Sequence, residues 1–422
     1  MHNDRIDKTD LICHICHMTN ATITRQIVPS LEKHLAEKEI TLLLGPRQSG
    51  KTTVLKILEK KLLEGGKKTL FLNLDIVADQ EIIASQTDFI AYLKNLSVQK
   101  NVYVFIDEVQ RIPNAGLFMK GVYDSNLPCK FILSGSSALE IKSKIVEPLT
   151  GRKKTFFLPT LTFNEFVNYK EPEIKDLKVL SKVYQGKMLN LLDEYVRFGG
   201  YPRVVVAKTD EEKIGHLEEI YTSYLEKDIG LFFEVRNKSS FLKMVSILAG
   251  ELGGVLNKDQ LAGMIGSSRM TVDNFLSYLE GSFVLHTVPP FFKRPHKEIV
   301  KSPKVYFFDL GLRNMLLRNF TAFDIRPDKG VLLENFVLNR ILEKLSPVEK
   351  VNYWRTKVGA EMDFVVSRAG SVEKAVEVKA QKMEKPELTP SIKSFLEIYK
   401  PKDMLLVNLN LKQKPAIPFY DL

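Results

Sequence analysis

The chain has 422 residues, which is more than one ordinary hydrophobic core accommodates. This length predicts roughly two to four domains. Its 44% hydrophobic and 27% charged residues are typical of a globular protein and exclude a largely unfolded chain. The net charge of +10 favours a polyanionic partner, DNA first, over an anionic membrane surface. A basic surface that only keeps the protein soluble is the alternative.

Residues 1–22 are polar and are predicted to form a disordered leader outside the fold. Three cysteines are too few for a disulfide framework, so a reducing environment is expected. Cys13 and Cys16 have metal-like spacing, but no second Cys/His pair completes a zinc site, and accidental thiols are the alternative. Because no apolar stretch is long enough for a signal peptide or a membrane span, we expect a cytoplasmic protein without a membrane partner.

The first third of the chain alternates short apolar runs with helical stretches. Strands are predicted at residues 40–44, 69–74, 102–106 and 130–134, and a helix follows the first strand at 52–63. Apolar strands separated by helices indicate a parallel α/β sheet that is covered on both faces.

The pattern G-x-x-x-x-G-K-[S/T] lies between the first predicted strand and its helix, which indicates a phosphate-binding loop (P-loop). Its glycines let backbone N–H groups and the helix N-terminus point at phosphate oxygens. Lys51 would reach the β- and γ-phosphates, and Thr52 would offer its hydroxyl to Mg²⁺. The sequence therefore predicts ATP and Mg²⁺ as ligands. The predicted nucleotide-binding residues are Gly45, Pro46, Arg47, Gln48, Ser49, Gly50, Lys51, Thr52 and Thr53.

Two carboxylates directly follow the strand predicted at residues 102–106. Asp107 is placed to hold Mg²⁺, and Glu108 is placed to polarise a water for attack on the γ-phosphate. A solvated strand end is the alternative, but the P-loop beside it favours a catalytic pair. Because Glu108 indicates hydrolysis rather than nucleotide storage, we predict an ATPase.

Two further residues are candidates for the same site. Ser134 would sit between the two carboxylates and the γ-phosphate and sense the hydrolysed state, or it would only begin a turn. Arg152 would supply positive charge to the transition state from its own chain or from a neighbouring subunit of an oligomer. The alternative for Arg152 is a solvated surface arginine. The predicted catalytic residues are Lys51, Glu108, Ser134 and Arg152.

From about residue 160 the pattern becomes helical, and a helix–turn–helix followed by strands is predicted at residues 255–310. Asn257 would cap its first helix, and Ser267 or Ser268 its second. The buried stripe of the second helix would comprise Val272, Phe275, Leu276 and Leu279.

Two strands after this second helix, around residues 283–288 and 305–308, would form a wing. The connection between the strands is basic and suits contact with nucleic-acid phosphates. A structural lid packed on the ATPase is the alternative. The basic residues of the connection are Lys293, Arg294, His296, Lys297 and Lys301.

The last region combines predicted helices at residues 332–345 and 391–399 with strands. Asp363 lies in one strand, and Glu377 and Lys379 share a face of the next, a D…E-x-K pattern. The two carboxylates would bind Mg²⁺, with Lys379 orienting water and Glu334 completing the ligand shell. The alternative is an exposed sheet face whose carboxylates pair with Lys379 or Arg355.

Six motifs in order resemble one prokaryotic family, the AAA-type ATPases that carry domain of unknown function 4143. They are the P-loop, Phe-Ile-Asp-Glu-Val-Gln at 105–110, Leu-Ser-Gly-Ser-Ser at 133–137, Thr-Gly-Arg at 150–152, Gly-Gly-Tyr-Pro at 199–202 and Glu-Met-Asp-Phe-Val at 361–365. The resemblance implies an AAA-like ATPase domain, a winged-helix-like middle and a C-terminal α/β domain similar to restriction endonucleases. The expected domains are residues 23–160 (P-loop ATPase core), 161–250 (helical lid), 251–328 (winged-helix-like) and 329–422 (endonuclease-like).

Two classes of function fit these patterns. In the first, an ATP-hydrolysing switch or motor acts on nucleic acid, with or without a nuclease of its own. In the second, ATP sets the conformation of a scaffold that binds a protein partner, and the nuclease-like domain is inactive. Stimulation of the ATPase by DNA would separate the two classes.

Overall fold

The computed structural model describes residues 23–98, 101–136, 148–174, 184–223, 235–292 and 302–422. The predicted leader with Cys13 and Cys16, and the basic connection within residues 293–301, lie outside the described residues. No helix in the described part of the chain is both long and apolar enough to cross a bilayer.

The N-terminal sheet has five parallel strands in the order β2-β3-β4-β1-β5. Its strands are β1 (Ile40–Leu44), β2 (Lys68–Asn73), β3 (Val102–Asp107), β4 (Cys129–Gly135) and β5 (Lys153–Phe157). The four predicted strands and the parallel α/β class are confirmed. The edge strand β5 was not predicted, because it is largely exposed and lacks an apolar run.

Helices cover this sheet, and their apolar sides form separate cores on its two faces. They are α1 (Val28–His34), α2 (Lys51–Glu64), α3 (Val77–Ile82), α4 (Gln86–Leu96) and α5 (Ala115–Asp124). Helix α2 begins directly after the Gly-rich turn, as predicted. Parallel strands buried on both faces explain the continuous apolar runs of β1 and β3.

The middle of the chain is helical. Its helices are α6 (Phe163–Lys170), α7 (Gln185–Phe198), α8 (Pro202–Val206), α9 (Asp210–Thr222), α10 (Val235–Gly250), α11 (Lys258–Ile265), α12 (Arg269–Gly281) and α13 (Leu310–Leu317). Asn257 caps α11 and Ser268 caps α12, as predicted. The predicted stripe of α12 is buried, which gives this helix one apolar face.

A short antiparallel pair follows α12, formed by β6 (Leu285–Val288) and β7 (Lys304–Phe307). The order helix, turn, helix, strand, strand is that of the predicted winged-helix region. Beyond β6 the backbone pairs with the next domain, since the amide N of Phe291 donates to the carbonyl O of Tyr353 at 2.6 Å. This pairing attaches the middle region to the C-terminal sheet.

The C-terminal region begins with α14 (Lys329–Lys344) and contains a five-stranded sheet in the order β12-β11-β10-β9-β8. The remaining elements are β8 (Glu349–Arg355), β9 (Glu361–Arg368), β10 (Ser371–Val378), α15 (Pro390–Tyr399), β11 (Asp403–Asn408) and β12 (Ala416–Pro418). Strands β8 to β10 are antiparallel, and β10 to β12 are parallel. The short β12 was not predicted.

One apolar cluster runs from Leu161 to Tyr420 and includes side chains of the helical middle and of the C-terminal region. The T-shaped contact of Phe163 with Phe336, at 5.1 Å between ring centroids, joins α6 to α14. A continuous core of this kind transmits displacements between regions instead of isolating them.

The Gly-Gly pair before α8 is fixed by a buried aspartate. Asp309 accepts hydrogen bonds from the amide of Gly200 at 2.8 Å and from that of Leu312 at 3.1 Å. Gly199 has φ +75°, and a Cβ there would lie 2.0 Å from the Asp309 carboxylate. Only glycine fits this close approach, which explains the first residue of the Gly-Gly-Tyr-Pro motif.

We predict that Asp309→Ala lowers the free energy of unfolding by about 1–3 kcal/mol, because it leaves the buried Gly200 amide without an acceptor. Urea unfolding followed by circular dichroism measures the change. The exposed Asp324→Ala variant is the control and should shift stability by less than about 0.5 kcal/mol. Equal stability of the two variants would contradict the role assigned to Asp309.

Candidate nucleotide site

The nine predicted nucleotide-binding residues form the loop after β1 and the first turn of α2. Gly45 lies against the next segment of chain, because a Cβ there would sit 2.0 Å from the carbonyl O of Leu158. Gly50 has φ +93°, in the left-handed region that favours glycine. The loop turns into a helix whose N-terminus has no side-chain cap and no acidic residue in its first turn. Such a terminus binds anions.

Lys51 is buried at the base of this loop, with 4% of its surface exposed. Its ammonium donates to the carbonyl oxygens of Gly45 at 3.1 Å and Pro46 at 2.8 Å. Burial lowers the pKa of Lys51 to about 8, although the charges of Glu108 and Asp107 oppose the shift. A buried ammonium bonded to neutral carbonyls is stabilised by an incoming anion.

Asp107 joins three elements at the carboxyl edge of the sheet. Its Oδ2 accepts from the Thr52 hydroxyl at 2.5 Å, and its Oδ1 accepts from the Ser134 hydroxyl. The three residues come from β3, α2 and β4. Parallel strands end at the same edge, so residues far apart in sequence meet here. The structure thus brings together the predicted metal ligands and Ser134.

Glu108 adopts a left-handed backbone, with φ 58°, which is uncommon for a residue other than glycine. Its amide donates to the Ser134 hydroxyl at 3.2 Å. Its carboxylate accepts from the side chains of Gln110 and Ser136, the latter at 3.0 Å. These contacts orient the carboxylate. Gln110 and Ser136 were not predicted as site residues, although both lie in the motifs that carry the family resemblance.

Arg25 is a buried residue that sequence reasoning missed. Its Nη1 donates to the carbonyl O of Ser49 at 2.7 Å, and its Nη2 to that of Pro159 at 2.7 Å. Its Nε pairs with Glu165 at 3.1 Å. The guanidinium therefore clamps the P-loop to α6. One arginine before a short helix gives no signal in sequence, because its partners are up to 140 residues away.

Arg152 does not reach the P-loop of its own chain. It precedes β5, and its carbonyl O accepts from the amide of Ile40, at the start of β1. The P-loop follows the other end of β1, about 13 Å away at 3.3 Å per residue. Its guanidinium pairs with Asp124 at 2.8 Å on the surface. The predicted role within the same chain is wrong, and a role in a neighbouring subunit stays a prediction.

The residues at the P-loop fit a nucleotide and a divalent cation. The Ser49 hydroxyl is buried and has no hydrogen-bond partner among the described residues. Together with the buried ammonium of Lys51 it provides donors for phosphate oxygens. Thr52 and Asp107 offer adjacent oxygen ligands of the type that Mg²⁺ prefers.

A cavity of about 600 Å³ adjoins this loop through Arg25 and Leu158. Its walls include Phe157 at the end of β5, Phe283 of the middle region and Asn339 of α14. All three regions of the chain therefore border the space beside the P-loop.

The carboxylates predicted to bind a C-terminal metal, Glu334, Asp363 and Glu377, also lie together, and Glu361 lies beside them. We call these four residues the C-terminal carboxylate cluster. Asp363 of β9 accepts from the amide of Val378 at 2.8 Å, next to Glu377 of β10. Burial raises the pKa of Asp363, and the charges of Glu334 and Glu377 raise it further. The predicted convergence of the carboxylates is therefore present.

Two lysines form ion pairs with carboxylates of this cluster. Lys379 pairs with Glu377 at 2.7 Å, as the salt-bridge alternative predicts. Lys304 pairs with Glu334 at 3.1 Å. Burial opposes the charge of Lys304, but the two carboxylates beside it, Glu334 and Glu361, outweigh this and raise its pKa. Within the described ranges, no three acidic, His or Cys side chains have the arrangement of a metal site.

Comparison with known families agrees with the geometry of the loop. Residues 37–167 match the sequence model of an AAA domain, and residues 329–419 match a domain of unknown function, DUF4143. The chain therefore combines an AAA domain with a DUF4143 domain, the pair of domains that its motifs predicted. A further domain of unknown function, DUF8612, matches residues 189–322 and spans most of the middle region.

Relatives extend the match beyond the AAA domain. An uncharacterized protein from Mycobacterium tuberculosis is 25% identical over 349 residues, 82% of this chain and 71% of its own length. One from Methanocaldococcus jannaschii is 25% identical over 392 residues, 90% of this chain and 83% of its own.

Two solved structures are similar to parts of the chain. The Walker-type ATPase paby2304 of Pyrococcus abyssi has a TM-score of 0.46 at 14% identity, covering 70% of this chain and 96% of its own. The Aeropyrum pernix ORC2 protein in its ADP form has a TM-score of 0.39 at 15% identity, covering 72% and 96%.

We predict that Glu108→Gln leaves ATP binding intact and lowers the turnover number by at least about 100-fold, because the amide cannot take a proton from water. Phosphate release and nucleotide binding are measured on the same preparation. Glu81→Gln, an exposed residue of α3, is the matched control and should behave as wild type. Unchanged turnover in Glu108→Gln would refute the assignment.

Proposed function

We propose that the AAA domain hydrolyses ATP with Mg²⁺ and that the chain uses this reaction to act on nucleic acid. The observation that carries the ATPase proposal is the hydrogen-bonded set Thr52, Asp107 and Ser134 beside the buried ammonium of Lys51. These groups provide phosphate donors, oxygen ligands for Mg²⁺ and an oriented carboxylate at Glu108.

Each residue has one role in this proposal. Lys51 and the loop amides hold the phosphates, and Thr52 and Asp107 hold Mg²⁺, which neutralises phosphate charge when bound. Glu108 accepts the proton of the attacking water, and Gln110 and Ser136 position its carboxylate. Ser134 connects the metal ligand to the Glu108 backbone, so its contacts respond to the nucleotide state.

Support for a nucleic-acid partner comes from the charge of +10 and from the helix–turn–helix with its basic connection. The exposed charges of the helices themselves are paired with each other. Lys258 pairs with Asp273 at 2.5 Å, and Arg269 with Asp259 at 2.9 Å. We therefore assign contact with nucleic-acid phosphates to the basic connection within residues 293–301.

A second candidate is an ATP-driven switch that binds a protein partner, in which the DUF4143 domain performs no cleavage. The pairing of Lys304 and Lys379 with the carboxylate cluster favours this candidate, because ammonium groups occupy ligands that a cleavage metal needs. The continuous core between the middle and C-terminal regions suits such a switch.

We predict that duplex or branched DNA raises the ATPase rate severalfold and that Lys51→Ala removes both the basal and the stimulated rate. Reversing the charges of Lys293, Arg294 and Lys297 should weaken DNA binding and lower the slope of log affinity against log salt by up to about 3. Filter binding across a salt series and phosphate release measure the two effects.

The matched control reverses three exposed lysines of the AAA domain, Lys60, Lys67 and Lys94. An ATPase rate that does not change when DNA is added, together with equal DNA affinity in both triple variants, would favour the switch that binds a protein partner over the nucleic-acid role.

A further inference from the structure

The cavity beside the P-loop has an aromatic wall. Four rings border it: Phe157 at the end of β5, Phe283 before β6, His286 in β6 and Phe308 after β7. The ring centroids of Phe157 and Phe283 lie 4.8 Å apart, and those of His286 and Phe308 are stacked at 3.4 Å. Phe308 also contacts Phe157 at 5.9 Å and Phe283 at 5.8 Å, both edge-on. The rings of the AAA domain and of the middle region therefore form one connected surface.

These rings keep free surface and carry no charge. Phe157 is 40% exposed, and Phe283 and Phe308 are partly exposed. Burial lowers the pKa of His286 to about 3, so its ring is neutral at physiological pH. Aromatic residues with free surface beside a cavity can stack on a planar ligand without bringing a charge to it.

The backbone conformation of Phe283 is unusual. Its φ of 60° lies in the left-handed region, which is uncommon for a bulky residue. Its amide donates to the carbonyl O of Glu280 at 3.1 Å, and the amide of Val284 donates to the carbonyl O of Leu279 at 2.8 Å. These two bonds form a Schellman motif at the end of α12, where glycine is the usual residue. Because strained residues of this kind cluster at ligand-binding sites, Phe283 points to a use for its ring.

The size and the other walls of the cavity suit a purine nucleoside. Its volume of about 600 Å³ lies within the range of small-molecule sites, roughly 300–1,000 Å³. The irregular segment at residues 158–162 brings backbone amide and carbonyl groups to the wall. Asn339 of α14 also borders the cavity, and its Nδ2 donates to the carbonyl O of Phe308 at 3.1 Å. Polar groups of this kind orient the edge of a planar ring while aromatic side chains stack on its face.

We propose that this cavity binds the ring of a purine nucleoside, with Phe157 and Phe308 stacked against the ring and the middle region forming most of the aromatic wall. Three of the four rings lie within residues 189–322, the range that matches DUF8612. The proposal thus gives this domain of unknown function a role in binding, next to the AAA domain that holds the P-loop.

Two sources can supply the ring. Arg25 borders the cavity, and its Nη1 donates to the carbonyl O of Ser49 in the P-loop at 2.7 Å. Because the cavity adjoins the P-loop, the ring can belong to ATP whose phosphates occupy that loop. It can equally belong to a separate nucleoside. For the first source the inference rests on the proposed nucleotide site, and for the second it does not.

The test uses the full chain and isothermal titration calorimetry with adenosine, which carries the ring but no phosphates. We expect Phe157→Ala to weaken adenosine binding at least about tenfold, the loss typical when a base loses an aromatic partner. Tyr92→Ala, the matched control, removes an aromatic side chain of similar exposure from α4, outside the cavity, and should bind adenosine as wild type does. Magnesium tripolyphosphate, which carries phosphates but no ring, should bind Phe157→Ala and wild type equally. Failure of wild type to bind tripolyphosphate would count against the P-loop assignment alone.

Titration with MgATP separates the two sources. A loss of MgATP affinity in Phe157→Ala, with displacement of adenosine from wild type by MgATP, assigns the ring to ATP. Adenosine that still binds in saturating MgATP assigns the ring to a separate nucleoside. Phe308→Leu keeps an apolar side chain and repeats each measurement if Phe157→Ala has a lowered melting temperature. The proposal is overturned if neither adenosine nor MgATP binds less tightly to these two variants than to wild type.

Discussion

The carboxylate of Asp107 is the contact on which the nucleotide site depends. It accepts hydroxyl hydrogen bonds from α2 and β4 while it is itself part of β3, so the P-loop helix and two strands share one anchor. Arg25 fixes the other side of the loop through the carbonyl of Ser49. A site held at both sides is pre-organised, and a rigid arrangement of phosphate donors needs little reorganisation when a ligand binds.

Neighbouring segments lead from this loop toward the C-terminal carboxylate cluster. A Cβ on Gly50 would lie 3.8 Å from Pro202, which follows the Gly-Gly pair held by Asp309. Asp309 comes two residues after β7, the strand that begins with Lys304. The segment from Asp309 to Lys304 therefore lies between the neighbourhood of the P-loop and the C-terminal carboxylate cluster. Such a segment provides a physical route for coupling, whose strength has to be measured.

The sequence could predict those features that depend on local pattern. The P-loop, its flanking strand and helix, and the caps at Asn257 and Ser268 need only neighbouring residues. The roles of Asp107 and Ser134 could be predicted because parallel strands end at one edge. The contacts of Arg25 and Lys304 could not be predicted, since their partners are distant in sequence and a single charged residue has no periodic signature. Arg152 was misplaced because its motif does not reveal which edge of the sheet it occupies.

The central claim is that the buried Lys51 ammonium receives the phosphates of ATP. Its pKa is about 8 with Glu108 present, and the loss of that charge in Glu108→Gln should lower the pKa further, so much of the group is neutral at pH 8.5. Bound phosphates should restore the proton. Calorimetry of MgATP binding to Glu108→Gln, in buffers of different ionisation enthalpy at this pH, measures the protons taken up. Lys130 has a similar pKa, but it lies at the opposite edge of the sheet, so Lys130→Met is the control. We predict uptake of most of one proton by Glu108→Gln, with or without the Lys130→Met substitution. MgATP binding without proton uptake would contradict the role assigned to Lys51.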